Sequence, residues 1–285
     1  MTANKFNAYI RLMRIDKPVG TLLLAWSSLW GLWLAGGGQP PAAVFCIIML
    51  GTWTMRSAGC AVNDLADRRF DGKVKRTHGR PLATGELSVK EALAAAALML
   101  FLSLLLVLQL NWQSLVLAFA CAAVAIIYPF CKRFLPTPQA VLGVAFASAI
   151  LLAHTAILGR ITAASFFMFL GSVFWALVYD TYYALVDRDD DIPLNLHSSA
   201  IFSQGFERRF IALMAAAMLF CLVIAGILAR LGAYYYLGLL AAAALLVQEL
   251  YMTRRLDRES CFAAFHHNNW VGAAIWGGLI IEFLP

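Results

Sequence analysis

The sequence predicts an all-α polytopic membrane protein with nine transmembrane helices in one bundle. Of its 285 residues, 62% are hydrophobic and only 13% are charged, which excludes an ordinary water-soluble globular domain. Apolar segments of about 20 residues, the length that crosses a bilayer as a helix, recur along the chain. We place these segments at 19–36, 42–64, 91–110, 113–131, 138–158, 163–186, 209–230, 233–252 and 261–283.

Short connections join these segments, so we expect a single membrane domain over residues 1–285 with no soluble appendage. Before the first span, Phe6, Ile10 and Met13 recur at helical spacing, which predicts a short interfacial helix at 5–15.

The basic residues predict the orientation. Of the 22 Lys and Arg residues, all but Arg160 and Arg230 lie in or beside the loops on one side of the predicted bundle. By the positive-inside rule, the N-terminus is then cytoplasmic and the C-terminus outside. The net charge of +6 therefore reflects topology and anionic lipid, and it does not indicate nucleic-acid binding.

A first group of polar residues ends the second span. Asn63, Asp67 and Asp71 stand at i, i+4 and i+8. If the helix continues through this stretch, the spacing places the three side chains on one face over two turns.

A second group follows the sixth span, where Asp180, Asp187 and Asp191 stand at i, i+7 and i+11. Eight of the sixteen Asp and Glu residues lie in 64–71 or 180–191. Each group ends an even-numbered span, which indicates a duplicated arrangement with two acidic edges facing one cavity.

Facing carboxylates of this kind suit a magnesium-bound diphosphate. Mg²⁺ prefers oxygen ligands and is commonly held by one or two carboxylates together with substrate phosphates. It would neutralise a diphosphate and improve it as a leaving group. The alternative is a solvated face on which Asp and Arg neutralise each other, but two matched groups favour the metal. Further phosphate donors are available from Arg68, Arg69, Lys73, Lys75, Arg76 and Arg80.

A charged residue also lies inside the second span. Arg56 precedes Asn63 by seven residues, about 10 Å deeper along a helix. An ionised side chain at that depth is costly, which makes it a functional candidate, although a snorkelling or paired arginine is the alternative.

An allylic diphosphate would leave a carbocation when its carbon–oxygen bond breaks, and this cation needs a cavity wall that excludes water and presents aromatic rings. Candidates for that wall are Phe174, Trp175, Tyr179, Tyr182 and Tyr183.

Several motifs together resemble a known family. Asn63-Asp64-x-x-Asp67-x-x-x-Asp71 and Tyr179-Asp180-x-x-Tyr183-x-x-x-Asp187-x-x-x-Asp191 resemble the two Asp-rich motifs of the UbiA superfamily of intramembrane prenyltransferases. The resemblance covers essentially the whole chain. It includes Arg14-x-Asp16-Lys17-Pro18, Arg56-x-x-Gly59-Cys60-x-x-Asn63, Lys75-Arg76-Thr77-x-x-Arg80-Pro81-Leu82, Tyr128-Pro129-x-x-Lys132-Arg133 and Asn268-Asn269.

This resemblance implies a fold, a reaction and a location. The fold would be a nine-helix bundle whose cavity opens sideways to lipid and holds a polyprenyl tail. The reaction would be Mg²⁺-dependent transfer of a polyprenyl group from polyprenyl diphosphate to 4-hydroxybenzoate, at the ring carbon ortho to the hydroxyl. Diphosphate would be released, in ubiquinone biosynthesis. The location would be the bacterial inner (cytoplasmic) membrane, with the active site facing the cytoplasm.

The resemblance also implies residue roles. Metal-binding residues would be Asn63, Asp67, Asp71, Asp187 and Asp191. Catalytic residues would be Asp71, Asp187 and Asp191, the last assisting deprotonation of the phenol. Substrate-binding residues would be Arg14, Arg56, Arg68, Arg80, Tyr128, Lys132 and Tyr183.

One segment departs from the family pattern, and two other functions stay open. Where the family usually shows Lys-x-Gly-x-Lys-Ser, this chain has Pro193, Asn195, His197 and Ser198. We therefore expect a weaker phosphate clamp, or one completed by Arg208 and Arg209. The alternatives are another aromatic acceptor within the family, or a membrane transporter with an acidic ion site. For a transporter, only Arg56 and Glu249 lie deep enough.

Overall fold

The computed structural model describes residues 3–285, and this part of the chain is helical with no strand. Two 3-10 turns, Asp71–Lys73 and Ile192–Leu194, interrupt the helices. The helices are α1 (Ala3–Leu12), α2 (Val19–Ala35), α3 (Ala42–Asp67), α4 (Val89–Val107), α5 (Trp112–Cys131), α6 (Pro138–Leu158), α7 (Ala163–Asp191), α8 (Ser199–Phe202), α9 (Glu207–Ala229), α10 (Ala233–Met252) and α11 (Arg258–Glu282).

Within residues 3–285, seven helices are long and apolar enough to cross a membrane, namely α3 to α7, α9 and α10. The all-helical, polytopic class is therefore confirmed. The remaining two predicted spans correspond to α2, which is apolar but has 17 residues, and to α11, whose first half contains two histidines and two asparagines.

Two helices run further than predicted. α3 has 26 residues and α7 has 29, so at 1.5 Å per residue they are about 39 and 43 Å long. A hydrocarbon core is about 30 Å thick, so one end of each helix reaches beyond it. Both acidic groups lie at these C-terminal ends, and we call this side the acidic end of the bundle.

Tryptophans hold the centre of the bundle. Trp30 of α2 stacks on Trp175 of α7 with ring centroids 5.0 Å apart. Trp30 Nε1 donates to the carbonyl of Gly272 at 3.1 Å, and Trp175 Nε1 donates to Asn268 Oδ1 at 2.8 Å. Each indole thus has a partner in α11, as a buried Trp requires. The polar residues of α11 therefore join it to α2 and α7.

α1 confirms the predicted short helix, but with a different buried face. Ala8 and Leu12 pack against α3 and the start of α4, whereas Phe6 is exposed. α4 begins with a capping box between Ser88 and Glu91, which ends the preceding loop.

Two glycines of α11 give a matched test of this packing. A Cβ on Gly272 would lie 2.5 Å from Trp26 and 2.7 Å from Trp175, whereas a Cβ on Gly277 meets nothing within 4 Å. We expect Gly272→Ala to lower the thermal unfolding midpoint in detergent because two rings must move. Gly277→Ala, whose gain in helix propensity is at most about 1 kcal/mol, should leave or raise the midpoint. Equal midpoints for the two variants would contradict the packing.

Candidate active site

A cavity of about 1120 Å³ extends from the acidic end into the bundle. Residues of α2, α3, α4, α5, α6, α7 and α11 line it. Both acidic groups contribute, with Asp64, Asp67 and Asp71 from one and Asp180, Asp187 and Asp191 from the other. The structure thus brings together two groups that lie more than one hundred residues apart in the sequence.

The predicted register of Asp71 is wrong. α3 ends at Asp67, and Asp71 begins a separate 3-10 turn, so Asp71 does not share a helix face with Asn63. It reaches the cavity because the loop folds back. Thr77 Oγ1 donates to the Asp71 carbonyl at 2.9 Å, and Arg80 Nη1 lies 2.9 Å from the Asp71 carboxylate. Burial raises the pKa of Asp71 above its ordinary value, and Arg80 opposes this rise.

Cations from other elements neutralise the first acidic group. Asp64 is fully buried and pairs with Arg14 at 2.8 Å and Arg80 at 3.1 Å. Lys132 Nζ of the α5–α6 loop lies 2.9 Å from Asp67 Oδ2 and 3.2 Å from Asn63 Oδ1. These pairs are largely buried, so the solvated Asp–Arg face that was the alternative is not what the structure shows.

The second acidic group is bound by the long loop at 72–88. Arg76 Nε donates to Asp187 Oδ1 at 2.9 Å, and its terminal nitrogens bond Asp187 and the Tyr183 hydroxyl. The Arg76 guanidinium also lies over the Tyr183 ring, 4.3 Å from its centroid. Asp191, at the end of α7, has no salt-bridge partner within 4.0 Å among residues 3–285.

The donor set fits Mg²⁺ as part of a metal–diphosphate complex. Within the described part of the chain, no three His, Cys, Asp or Glu residues are grouped to hold an ion by themselves. Mg²⁺ does not require such a cage, since one or two carboxylates, waters and substrate phosphates suffice. Asn63 and Asp67 offer oxygen atoms from α3, and Asp187 and Asp191 offer them from α7.

Arg56 is a half-buried cation of the cavity wall with no salt-bridge partner in the described part of the chain. Its guanidinium lies over the ring of Phe146, with Cζ 5.7 Å from the centroid. Its Nε is buried and has no hydrogen-bond partner in residues 3–285. A buried N–H of a charged group that has no acceptor is costly, so this position favours an anionic ligand.

Gly20 leaves room for the Arg56 guanidinium, a role that the sequence did not predict. A Cβ at Gly20 would lie 2.4 Å from Arg56 Nη2. The role cannot be read from the sequence, because it depends on which side chain packs against the glycine in the folded protein.

The aromatic wall differs from the predicted one. Tyr179 and Tyr183 do line the cavity, but Phe174, Trp175 and Tyr182 do not. Trp175 and Tyr182 are fully buried in the bundle core. Their place is taken by α11, since the Phe265 ring centroid lies 4.7 Å from that of Tyr183 and the Phe262 centroid 6.5 Å from it.

Most of the other residues predicted to bind substrate line the cavity. Arg14, Arg80, Tyr128 and Lys132 line the cavity. Arg68 does not, because its Nη1 donates to the Leu65 carbonyl at 3.1 Å and its side chain faces a separate depression. The assignment of Arg68 to the substrate site is therefore corrected.

Two arginines that we expected to complete a phosphate clamp after α7 lie away from the cavity. Arg208 Nη2 donates to the Leu250 carbonyl at 3.1 Å, and neither Arg208 nor Arg209 lines the cavity. His197 does line it, and its backbone N–H donates to the Lys132 carbonyl at 2.8 Å.

Glu249 does not lie in the cavity wall. It is fully buried, accepts from Asn268 Nδ2 at 2.9 Å, and pairs with His267 Nδ1 at 3.0 Å. These partners satisfy both carboxylate oxygens, so Glu249 joins α10 to α11. This removes one of the two residues that favoured an ion pathway.

Comparison with known proteins decides the family. Residues 24–271 match the model of the UbiA prenyltransferase family. The chain belongs to the UbiA family. It is 46% identical over 284 residues to the 4-hydroxybenzoate octaprenyltransferase of Aeromonas salmonicida, covering 100% of this chain and 98% of the relative. It is 47% identical over 275 residues to the protein of that name from Cupriavidus pinatubonensis, covering 96% of each.

Solved structures show the same fold. The apo structure of a UbiA homolog from Aeropyrum pernix K1 superposes with a TM-score of 0.82 at 23% identity, over 93% of this chain and 98% of that one. A UbiA homolog from Archaeoglobus fulgidus, bound to GPP and Mg²⁺, has a TM-score of 0.69 at 16% identity, over 96% and 99% of the two chains.

The buried ion pairs predict a stability difference. Arg80→Ala removes the cation that bonds Asp71 and one of two that pair with Asp64. We expect a loss of about 3 kcal/mol, because an unpaired buried charge is left behind. Thermal unfolding and trypsin cleavage within 72–88 measure it. Lys5→Ala, which breaks an exposed pair with Glu91, is the control and should change neither readout. If trypsin cleaved the 72–88 loop of Arg80→Ala no faster than that of the native protein, the result would contradict the pairing.

Proposed function

We propose that the chain transfers a polyprenyl group from polyprenyl diphosphate to the ring carbon ortho to the hydroxyl of 4-hydroxybenzoate, releasing diphosphate. One observation carries this proposal. Two acidic helix ends meet at the mouth of a cavity that contains, further in, a half-buried arginine whose Nε is buried and has no partner in residues 3–285. The relatives' name supports the acceptor, and it favours a donor with eight isoprenyl units.

The acidic end would bind the diphosphate. Asn63, Asp67, Asp187 and Asp191 would hold Mg²⁺, which neutralises the diphosphate and improves it as a leaving group. Arg76 and Lys132 are hydrogen-bonded to carboxylates that the Mg²⁺–diphosphate complex would need as ligands. Both are also phosphate donors, so we expect their side chains to move from the carboxylates to the phosphate oxygens when the donor binds.

The acceptor would bind deeper, through Arg56. The carboxylate and hydroxyl of 4-hydroxybenzoate lie at opposite ends of its ring. A carboxylate on Arg56 therefore directs the hydroxyl and the ortho carbon towards the acidic end. When the allylic carbon–oxygen bond breaks, diphosphate keeps the electron pair and the ring carbon supplies the pair for the new carbon–carbon bond. Asp191, which has no cation partner in residues 3–285, would accept the phenolic proton. After the new bond forms, the ring carbon loses its hydrogen as a proton and the phenol oxygen regains one, so that one proton is released together with the diphosphate.

Aromatic side chains would protect the cation between these sites. Tyr179, Tyr183, Phe262 and Phe265 line the cavity beside the second acidic group. Their rings exclude water, and their faces stabilise positive charge. Asp71 would support the metal ligands through its position beside Arg80.

The whole chain would form one nine-span domain, with α2 and α11 completing the seven longer spans. The loops at the acidic end carry most of the Lys and Arg residues. This supports a cytoplasmic active site in a bacterial inner membrane, with the C-terminus outside. The alternative within the family is another aromatic acceptor. Product formation with acceptors that lack a carboxylate, compared with that from 4-hydroxybenzoate, distinguishes the two.

The direct test uses purified protein in liposomes with Mg²⁺, 4-hydroxybenzoate and prenyl diphosphates, followed by product mass. We expect Asp67→Asn and Asp191→Asn to abolish product, because each removes an anionic ligand. Asp189→Asn is the matched control, since Asp189 lies on the same helix end but is exposed and outside the cavity wall. Removal of Mg²⁺ should stop the native reaction. Full activity in either cavity variant would refute the metal assignment.

The second test concerns the acceptor. Gly20→Ala should displace the Arg56 guanidinium and raise the KM for 4-hydroxybenzoate about tenfold, the cost of one weakened charge-assisted hydrogen bond. The KM for the prenyl diphosphate should stay within about twofold, because the donor binds elsewhere. Gly277→Ala serves as the control. If both KM values rise together, Arg56 does not bind the acceptor selectively.

A further inference from the structure

The separate depression that Arg68 faces has a volume of about 710 Å³ and lies at the acidic end of the bundle. Its floor is the last part of α3, and its walls are the first half of α4 and the end of α5. α4 and α5 both pack on α3 but contact each other little, so a groove remains between them. Ala66, Ala96 and Ala97 line it, and their small side chains leave it open. We call this depression the outer groove.

The outer groove is apolar for the depth of one lipid leaflet. α4 begins at the acidic end with Val89, and Leu100, the deepest α4 residue in the groove, lies eleven residues further. At 1.5 Å per residue this distance is about 16 Å, close to half of a hydrocarbon core of about 30 Å. Leu93, Ile126 and Phe130 line the groove and are also exposed, so they face the acyl chains of that leaflet.

Three arginines line the polar end of the outer groove, namely Arg68, Arg69 and Arg133. No Asp or Glu is among the described residues that line it. None of the three arginines has a salt-bridge partner within 4.0 Å in the described part of the chain, whereas Arg76 and Arg80 of the neighbouring loop each pair with a carboxylate. The groove therefore carries three positive charges that no described side chain neutralises.

The end of α3 positions two of these cations. Arg68 Nη1 donates to the Leu65 carbonyl at 3.1 Å, and Arg133 Nη2 donates to the Ala66 carbonyl at 2.9 Å. Both carbonyls belong to the last turn of α3, where carbonyl groups have no partner within the helix and attract cations. Arg133 Cζ also lies 5.2 Å from the Phe130 ring centroid, beside the apolar wall. Because a guanidinium has five N–H donors, most of the donors remain for another acceptor.

We propose that the outer groove binds one anionic phospholipid of the surrounding bilayer, with its phosphate on Arg68, Arg69 and Arg133 and an acyl chain between α4 and α5. Guanidinium groups bind phosphate oxygens through paired N–H donors, and basic pockets between membrane helices suit anionic headgroups. The groove is positive at the membrane edge and apolar for one leaflet, which matches such a lipid. A free phosphate ion would leave the apolar part uncovered. This binding is independent of the proposed reaction.

Lipid binding to the purified full-length protein tests the proposal. Native mass spectrometry in detergent counts the bound lipids as phosphatidylglycerol, which is anionic, or phosphatidylcholine, which has no net charge, is added. We expect one phosphatidylglycerol to bind about tenfold more tightly than phosphatidylcholine, the effect of one charge-assisted hydrogen bond. Arg68→Gln with Arg69→Gln should reduce this preference to within about twofold, because two of the three phosphate donors are lost. Arg68→Lys with Arg69→Lys keeps both charges and should retain the preference.

Arg254 and Arg255 provide the matched control. They are adjacent and exposed, they follow α10 on the same side of the bundle, and they lie outside the groove. Arg254→Gln with Arg255→Gln removes the same charge and should keep the preference for phosphatidylglycerol. An equal loss in both glutamine double variants would indicate unspecific surface charge and overturn the proposal. Displacement of phosphatidylglycerol by an equal concentration of inorganic phosphate would also overturn it, since the arginines would then bind an ion.

Photo-cross-linking locates the lipid in a protein that keeps all its arginines. Leu93 and Leu98 both lie on α4 and are 54% and 53% exposed, but only Leu93 lines the groove. p-Benzoylphenylalanine is introduced at one of the two positions, and the protein is irradiated in liposomes with equal amounts of the two lipids. We expect position 93 to cross-link phosphatidylglycerol in preference to phosphatidylcholine, and position 98 to cross-link both equally. Equal cross-linking of both lipids at 93 would overturn the proposal, and this result does not depend on whether the glutamine variants fold.

Discussion

The cost of placing charge at the edge of a membrane constrains the rest of this structure. Asp64, Asp67, Asp71 and Asp187 are buried, and each is paired with a cation from another part of the chain. Because an unpaired buried charge is strongly destabilising, these pairs tie the long loop and the N-terminal segment to α3 and α7. The same pairs keep carboxylates and cations together at one mouth of the cavity.

Polarity decreases along the cavity from this mouth inwards. Carboxylates and their cations come first, then Arg56 with the aromatic rings, and finally an apolar chamber bounded by α3 to α6. This order matches the three chemical parts of the proposed reaction: a diphosphate, a charged aromatic acid and a hydrocarbon tail. Each part would be held where the surroundings make its transfer from water or lipid least costly.

Sequence patterns were most reliable where the physics is local. Apolar segments of bilayer length predicted the helices, and helical spacing placed Asp180, Asp187 and Asp191 on one continuous helix end. The same argument failed at Asp71, because α3 ends four residues earlier and spacing alone does not show where a helix stops. It also failed for the aromatic wall, since two of the rings come from α11 and are distant in the sequence.

The sequence by itself determined the membrane class, the two acidic groups and the resemblance to the UbiA family, because hydropathy and motif spacing are properties of short stretches. Only the tertiary structure decided which cation pairs with which carboxylate, that Arg68 points away from the cavity, and that Gly20 makes room for Arg56. These features depend on contacts between helices far apart in the chain, and packing in a crowded interior selects those contacts.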